Sequence, residues 1–236
     1  MAKMKKAVLF IVEGITDELT FESIIPNFVN NDEVKFHLVN GDITTAEGVN
    51  INNIKNRVTE QIKLFLSSSR YEKSDILKVV HLIDTDGAFI SDEAVLYKDD
   101  APHLEYSLDK METKHVIKTQ QRNANKAAAL NRLSTEKQIF HIDYEIYYFS
   151  RNLEHVLHNI AEDLNSRKKQ ELAEDFSDTY YKKPVAFLEF INTPEFAVNG
   201  NYKETWDFIK QGTNSLHRHC NFHLFFHAYD AATDNK

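Results

Sequence analysis

"KAVLFIVEGITDE", Lys6 to Glu18, decides the architecture. Lys6–Val12 is a compact run of β-formers, too short for a helix of its own and closed by Glu13 and Gly14. A carboxylate at the end of a buried strand is almost never left unpaired, because its desolvation is so costly. Glu13 therefore either satisfies a structural hydrogen bond or belongs to a site at the strand's edge. Beyond it Thr16 resembles an N-cap, and Asp17 and Glu18 fall in a first helical turn, where negative charge favours the helix dipole. Leu19, Phe21, Ile24, Ile25 and Phe28 then supply a helical apolar stripe.

Outward from this unit the pattern repeats. "EVKFHLVN" (Glu33–Asn40) alternates like a strand, and Asn50–Ser69 carries Ile51, Ile54, Val58, Ile62 and Leu66 at helix spacing. "ILKVVHLID" (Ile76–Asp84) is a second largely apolar strand that ends on a carboxylate. The order β-α-β-α-β predicts an α/β fold with a mostly parallel, helix-covered sheet. Gln138–Ser150 adds a further strand. Asn152–Phe176, Pro184–Ile191 and Tyr202–Gln211 read as helical. The expected organisation is an α/β core over residues 1–150, with a helical C-terminal extension, 151–236, packed on it. No Gly/Ser/Pro linker divides the two.

The chain has 236 residues, 42% hydrophobic and 27% charged, enough apolar material for a proper core. Only 6 glycines and 4 prolines argue against a loop-rich all-β protein. A single cysteine, Cys220, excludes an internal disulfide and suits a reducing compartment. The apolar run in "MAKMKKAVLFIVEG" is too short for a signal peptide, and nothing approaches the roughly 18 apolar residues of a membrane span. A cytoplasmic protein without membrane contact is expected. The net charge of -8 disfavours a coat protein that binds nucleic acid by neutralising phosphates, but it suits an enzyme that holds metal on clustered carboxylates.

In open α/β sheets the active crevice lies beyond the carboxyl ends of the strands. Strand one brings Glu13 there, with Asp17 on the next turn, and "IDTDG" brings Asp84 and Asp86. Four converging carboxylates need a compensating cation, and hard oxygen ligands suit Mg²⁺ or Mn²⁺. Such clusters serve metal-assisted phosphoryl transfer. Gly14 and Gly87 would let backbone and phosphate approach closely. Without metal, neutralising Asp84 or Asp86 is expected to relieve repulsion and raise stability.

"VEGITD" followed by "IDTD" resembles the Toprim domain of topoisomerases, bacterial primases, RecR-type proteins and OLD-family nucleases. The resemblance covers roughly Lys6 to Ser150. It implies a Rossmann-like Toprim fold, with Glu13 as general acid/base and metal ligand and Asp84 and Asp86 as the Asp-X-Asp metal ligands. Asp17 matches an acidic position four residues after the glutamate, chiefly in the primase-like and nuclease branches. No tyrosine-bearing cleavage domain and no primase accessory portions are recognisable. The resemblance is therefore closest to small stand-alone or OLD-type nucleases of phage defence, acting on DNA or RNA. In those systems an ATPase often sits on a partner chain, so this chain could be the effector half; a homodimer is equally compatible.

Weaker signals surround these motifs. Lys110, Lys114, Lys118, Arg122 and Lys126 recur every four residues, a candidate basic stripe for a phosphate backbone or simply a solvated face. Glu154 and His155 open a helix at the same rim, Glu154 as a candidate further ligand. Lys168, Lys169, Lys182 and Lys183 are candidate transition-state cations. His219, His223 and His227, near His217 and Cys220, suit an aromatic packing helix better than zinc, because the outer two lie about 12 Å apart along a helix. Two rivals to a nuclease stay open: a non-catalytic Toprim-like binding module, and a small-phosphoester hydrolase.

Overall fold

Ala7, Leu9 and Ile11 alternate with Val8, Phe10 and Val12 along the first strand, and all six residues are buried. Such a strand needs apolar cover on both faces. The computed structural model describes residues 6–29, 32–39 and 41–227 and provides that cover. In chain order its elements are β1 (Ala7–Val12), α1 (Ile15–Phe21), β2 (Glu33–Leu38), α2 (Ile54–Ser68), β3 (Ile76–Asp84), β4 (Val95–Tyr97), β5 (Glu105–Tyr106), β6 (Met111–Thr113), α3 (Val116–Leu133), β7 (Gln138–Ile139), β8 (Ile142–Phe149), α4 (Leu153–His158), α5 (Ser166–Tyr180), α6 (Pro184–Ile191) and α7 (Tyr202–Ile209).

The main sheet has the order β2-β1-β3-β8-β7. Its first four strands are parallel, and β7 pairs antiparallel at the edge, so the fold is α/β with a mixed sheet, compatible with a Rossmann-like arrangement. The chain steps from β1 to β2 on one side and returns to β3 on the other. The connection leaving the carboxyl end of β1 runs towards β2 and the one leaving β3 leads towards β8, in opposite directions, which opens a crevice between β1 and β3.

Strand parity sorts the core into two layers. Leu9, Ile11, Val79 and Ile83 meet Ile54, Val58 and Ile62 of α2, Leu130 of α3 and Trp206 of α7. Val8, Phe10, Val12, Val80 and Leu82 meet Phe21 of α1, Val156 of α4, Phe176 of α5, Phe187 of α6 and the later Phe222 and Phe226. Aromatic rings knit the second layer, with Phe21 stacked 5.9 Å from Phe149 and edge-on 5.3 Å from Phe222. Residues on both sides of position 150 thus contribute to both layers. Among the described residues no helix is long and apolar enough to cross a membrane.

Several local expectations are corrected. The strand expected over Gln138–Ser150 is a hairpin, β7 and β8, turning at Phe140 and His141 with φ 55 and 57. Asn152–Phe176 is not one helix: Asn159, at φ 56, ends α4, and the Asn165 side chain caps α5 through Lys168 N at 2.9 Å. Helix α1 begins at Ile15 and stops at Phe21, with Pro26 starting a separate 3₁₀ turn. The N-cap is Gly14 rather than Thr16, and Asp17 Oδ2 accepts the Gly14 amide at 2.9 Å. Helix α2 starts at Ile54, because Asn50 and Asn53 fold the preceding turn through Asn50 N to Asn53 Oδ1 at 2.9 Å. Strand β2 ends at Leu38, and Asn40 lies outside the described residues. A small sheet, β4-β6-β5, was not expected at all.

Candidate active site

Glu13 follows the last residue of β1, and Asp84 is the last residue of β3. Asp84 has the parity of Val80 and Leu82, which lie in the layer of α1, α4 and α5. Glu13, Asp17 and Asp84 line a cavity of about 10 Å³ with Leu82, Ile83, Phe149 and Leu153, close to the lower limit for one water. Each keeps some surface at the rim but is otherwise enclosed. Glu13 Oε1 is buried and, among the described residues, has no hydrogen-bond partner.

Burial is the leading cause of a raised pKa in all three acids. It pushes Glu13 well up against the opposing pull of Lys126, and Asp42, Asp86 and Asp17 add to the rise. Burial, Glu13, Asp17, Asp86 and Glu154 push Asp84 well up. Asp17 is raised from 3.8 to about 6 by burial and Glu154, against the Gly14 hydrogen bond and Lys169. The acids are near enough to feel one another, yet among the described residues no three side chains form a ready-made metal shell. Holding an ion would require these carboxylates to turn towards it. The buried, unpartnered oxygen, the carboxylate donor set and the water-sized void fit a hard divalent cation at Glu13, Asp17 and Asp84.

Asp86 stands apart from them. Its Oδ2 accepts from Lys126 Nζ at 2.6 Å and lies 3.1 Å from an Arg122 guanidinium nitrogen. Lys126 is fully buried, and its Nζ also reaches Asp42 Oδ2 at 2.7 Å. Asp42 is braced by the Thr44 amide at 2.7 Å and by the Thr45 hydroxyl at 2.8 Å. Burial would raise the Asp42 pKa, but Lys126 and these hydroxyls outweigh it and hold it at about 2. Burial would likewise lower the Lys126 pKa, but Asp86, Glu13 and Asp42 keep the ammonium well above its usual range. The expectation that neutralising Asp86 stabilises the protein is therefore reversed, because the change would remove one of the two carboxylates paired with a buried lysine.

The backbone aims these groups. Asp86 has φ 47 and Arg151 φ 59, and the two turns interlock: Asp86 N donates to Arg151 O and Arg151 N to Thr85 Oγ1, both at 2.9 Å. Gly87 follows at φ 65, where a Cβ would lie 2.3 Å from Met111 Cε and 2.5 Å from Leu216 Cδ2. Gly87→Ala should cost about 1–3 kcal/mol in chemical denaturation, from crowding and from the left-handed backbone. Wild-type stability in that variant would contradict this packing.

The basic stripe does not exist as one face. Helix α3 begins only at Val116, so Lys110 and Lys114 precede it. Lys110 pairs with Glu112 at 3.0 Å, Lys126 is buried among acids, and Arg122 is turned to Asp86. Lys114, Lys118 and Arg122 do share a cavity of about 270 Å³ with His103 and His115, on the α3 side of the rim. A larger cavity, about 570 Å³, is lined by Lys78, Asp143 and Glu145 from the opposite end of the sheet, away from the acids.

On the α5 side, Glu154 is buried and pairs with Lys169 Nζ at 3.0 Å. Of the candidate lysines, Lys169 is thus the one held at the rim, and its charge also acts on Asp84 and Asp17. His155 is buried, its Nδ1 has no partner among the described residues, and burial lowers its pKa to about 4. The C-terminal histidines do not share one helix. Cys220 forms bridges to Phe149 and Ala197, the His217 ring stacks 6.1 Å from His219, and His223 faces His227 at 5.5 Å. Asp42 went unnoticed in the sequence, although "GDITT" places an acid and two hydroxyls shortly after a strand.

Asp17 carries a pH prediction. Its folded pKa, about 6, lies above the ordinary 3.8, so the folded state binds more protons and loses stability as pH rises through that window. Buried His81, His155 and His223 and half-buried His219, each lowered to about 4, act in the opposite sense. The readout is therefore a difference between two proteins. Asp17→Asn should gain melting temperature over the metal-free wild type at pH 7.5, and the gain should shrink as pH falls towards 4. A constant difference across that range would refute the assignment.

No protein-family model matches the chain, and no curated protein and no solved structure shows significant similarity to it.

Proposed function

We propose that this chain is a divalent-metal-dependent phosphodiesterase acting on DNA or RNA, of the Toprim type that its motifs resemble. The observation that carries the reading is the concentration of Glu13, Asp17, Asp84 and Glu154 at the carboxyl ends of β1, β3 and β8, with one buried carboxylate oxygen that has no partner among the described residues. Enclosed acids clustered at a topological switch point are costly for the fold unless they serve a site. A bound Mg²⁺ or Mn²⁺ would supply Lewis-acid polarisation of a phosphate and an activated water. Glu13, Asp17 and Asp84 would hold it. Glu13, whose burial favours the proton, would exchange one with a reacting oxygen. Lys169 offsets negative charge beside the acids, and Lys114, Lys118 and Arg122 line a path for the polyanion.

The pairing of Asp86 with Lys126 and Arg122 favours a rival in which the Asp-X-Asp acids brace the fold of a binding module. Cleavage of plasmid DNA and of total RNA, in Mg²⁺ and in Mn²⁺, separates the two. The nuclease reading expects metal-dependent cleavage that is lost in Asp84→Asn. Tight binding without cleavage supports the module, and cleavage of phosphomonoesters alone supports the small-phosphoester hydrolase. An ATPase partner chain, as in the phage-defence systems that the motifs resemble, belongs to the same proposal.

A further inference from the structure

We infer that Lys126 is a built-in second cation, so that the chain binds one divalent ion rather than a pair. The inference rests on the metal-dependent reading above and concerns how its site is divided. Two-metal phosphoryl-transfer sites place ions about 3.5–4 Å apart, sharing acids such as an Asp-X-Asp pair. Here the second aspartate of that pair is already engaged. Lys126 Nζ sits between Asp86 Oδ2 at 2.6 Å and Asp42 Oδ2 at 2.7 Å, and its side chain has no exposure to solvent. Arg122 lies on the same Asp86 oxygen at 3.1 Å.

Formal charge divides the rim unequally. Asp42 and Asp86 face Lys126 and Arg122, two negative charges against two positive. Glu13, Asp17 and Asp84 line one cavity, and Lys169, ion-paired with neighbouring Glu154, acts on Asp17 and Asp84 through its charge. Positive charge is needed on the α5 side and is already supplied on the α3 side. An ion entering between Asp42 and Asp86 would have to expel a buried ammonium that, among the described residues, has no other carboxylate within ion-pairing distance. Asp42 is itself held for the lysine, because its oxygens also accept from Thr44 and Thr45. Glu13 lies between the halves and feels both Lys126 and Asp17, so Lys126 acts on the reaction by fixing the charge next to Glu13. It is a positioning residue.

The test counts Mn²⁺ per chain by equilibrium dialysis and follows it by electron paramagnetic resonance. The wild type is expected to bind one ion with the six-line spectrum of isolated Mn²⁺. Asp86→Asn should keep that ion, and Asp84→Asn should lose it. Lys126→Met, where it folds, should admit a second ion between Asp42 and Asp86, with a spin-coupled spectrum. Two coupled ions in the wild type would overturn the inference and leave the nuclease reading standing, as would loss of the ion in Asp86→Asn but not in Asp84→Asn. Absence of any bound Mn²⁺ would overturn both.

Discussion

Glu13→Gln should lower phosphodiester cleavage by a factor on the order of 100 to 10,000, the usual worth of a positioned general acid or base. The fold should survive the change. Burial already favours the neutral carboxylic acid in the metal-free protein, and glutamine reproduces its shape without its charge. Melting temperature should therefore stay level or rise. A structural task would give Glu13 Oε1 a donor, and among the described residues it has none. A variant that loses stability while cleaving at the wild-type rate would assign Glu13 to the scaffold.

The largest stability effect is expected at Lys126. Removing one partner of a buried ionic group leaves an uncompensated charge, and such changes cost about 3–5 kcal/mol. Lys126→Met would leave Asp42 and Asp86 facing each other without their ammonium. Adding Asp42→Asn and Asp86→Asn should restore much of the loss, and a triple variant no more stable than Lys126→Met would contradict this. The sign at low pH follows from Asp42. Its folded pKa, about 2, lies below the ordinary 3.8, so its contribution is complete above that value and is lost as pH falls towards 2. The neighbouring aspartates should behave oppositely, with Asp84→Asn raising the melting temperature of the metal-free protein and Asp86→Asn lowering it.

That last contrast marks how far the sequence was legible. Strands β1 and β3 were visible because strands buried on both faces must be apolar throughout, and the acids that close them stand out against that run. Strand parity then separates Asp84 from the groups around α3, but the different fate of Asp86 depends on Lys126, forty positions later. Period-four spacing alone cannot distinguish a solvated lysine from one turned inward on the same helix. The β7–β8 turn was hidden for a different reason. Its two left-handed positions hold Phe140 and His141 where Gly or Asn would have announced a hairpin. Helices α4 and α5 merged in the sequence because their break at Asn159 and Asn165 involves residues that helices also tolerate. The Asp42 loop had an acid and hydroxyls but no apolar pattern to place it against the site.

The most direct test of the site is an anomalous difference map from crystals soaked in Mn²⁺ at a concentration that supports cleavage. A single peak is predicted within coordination distance of Glu13 and Asp84, beside Asp17, with Lys126 still between Asp42 and Asp86. A map with no peak at the carboxyl ends of β1 and β3, from protein that cleaves under the same conditions, would contradict the account.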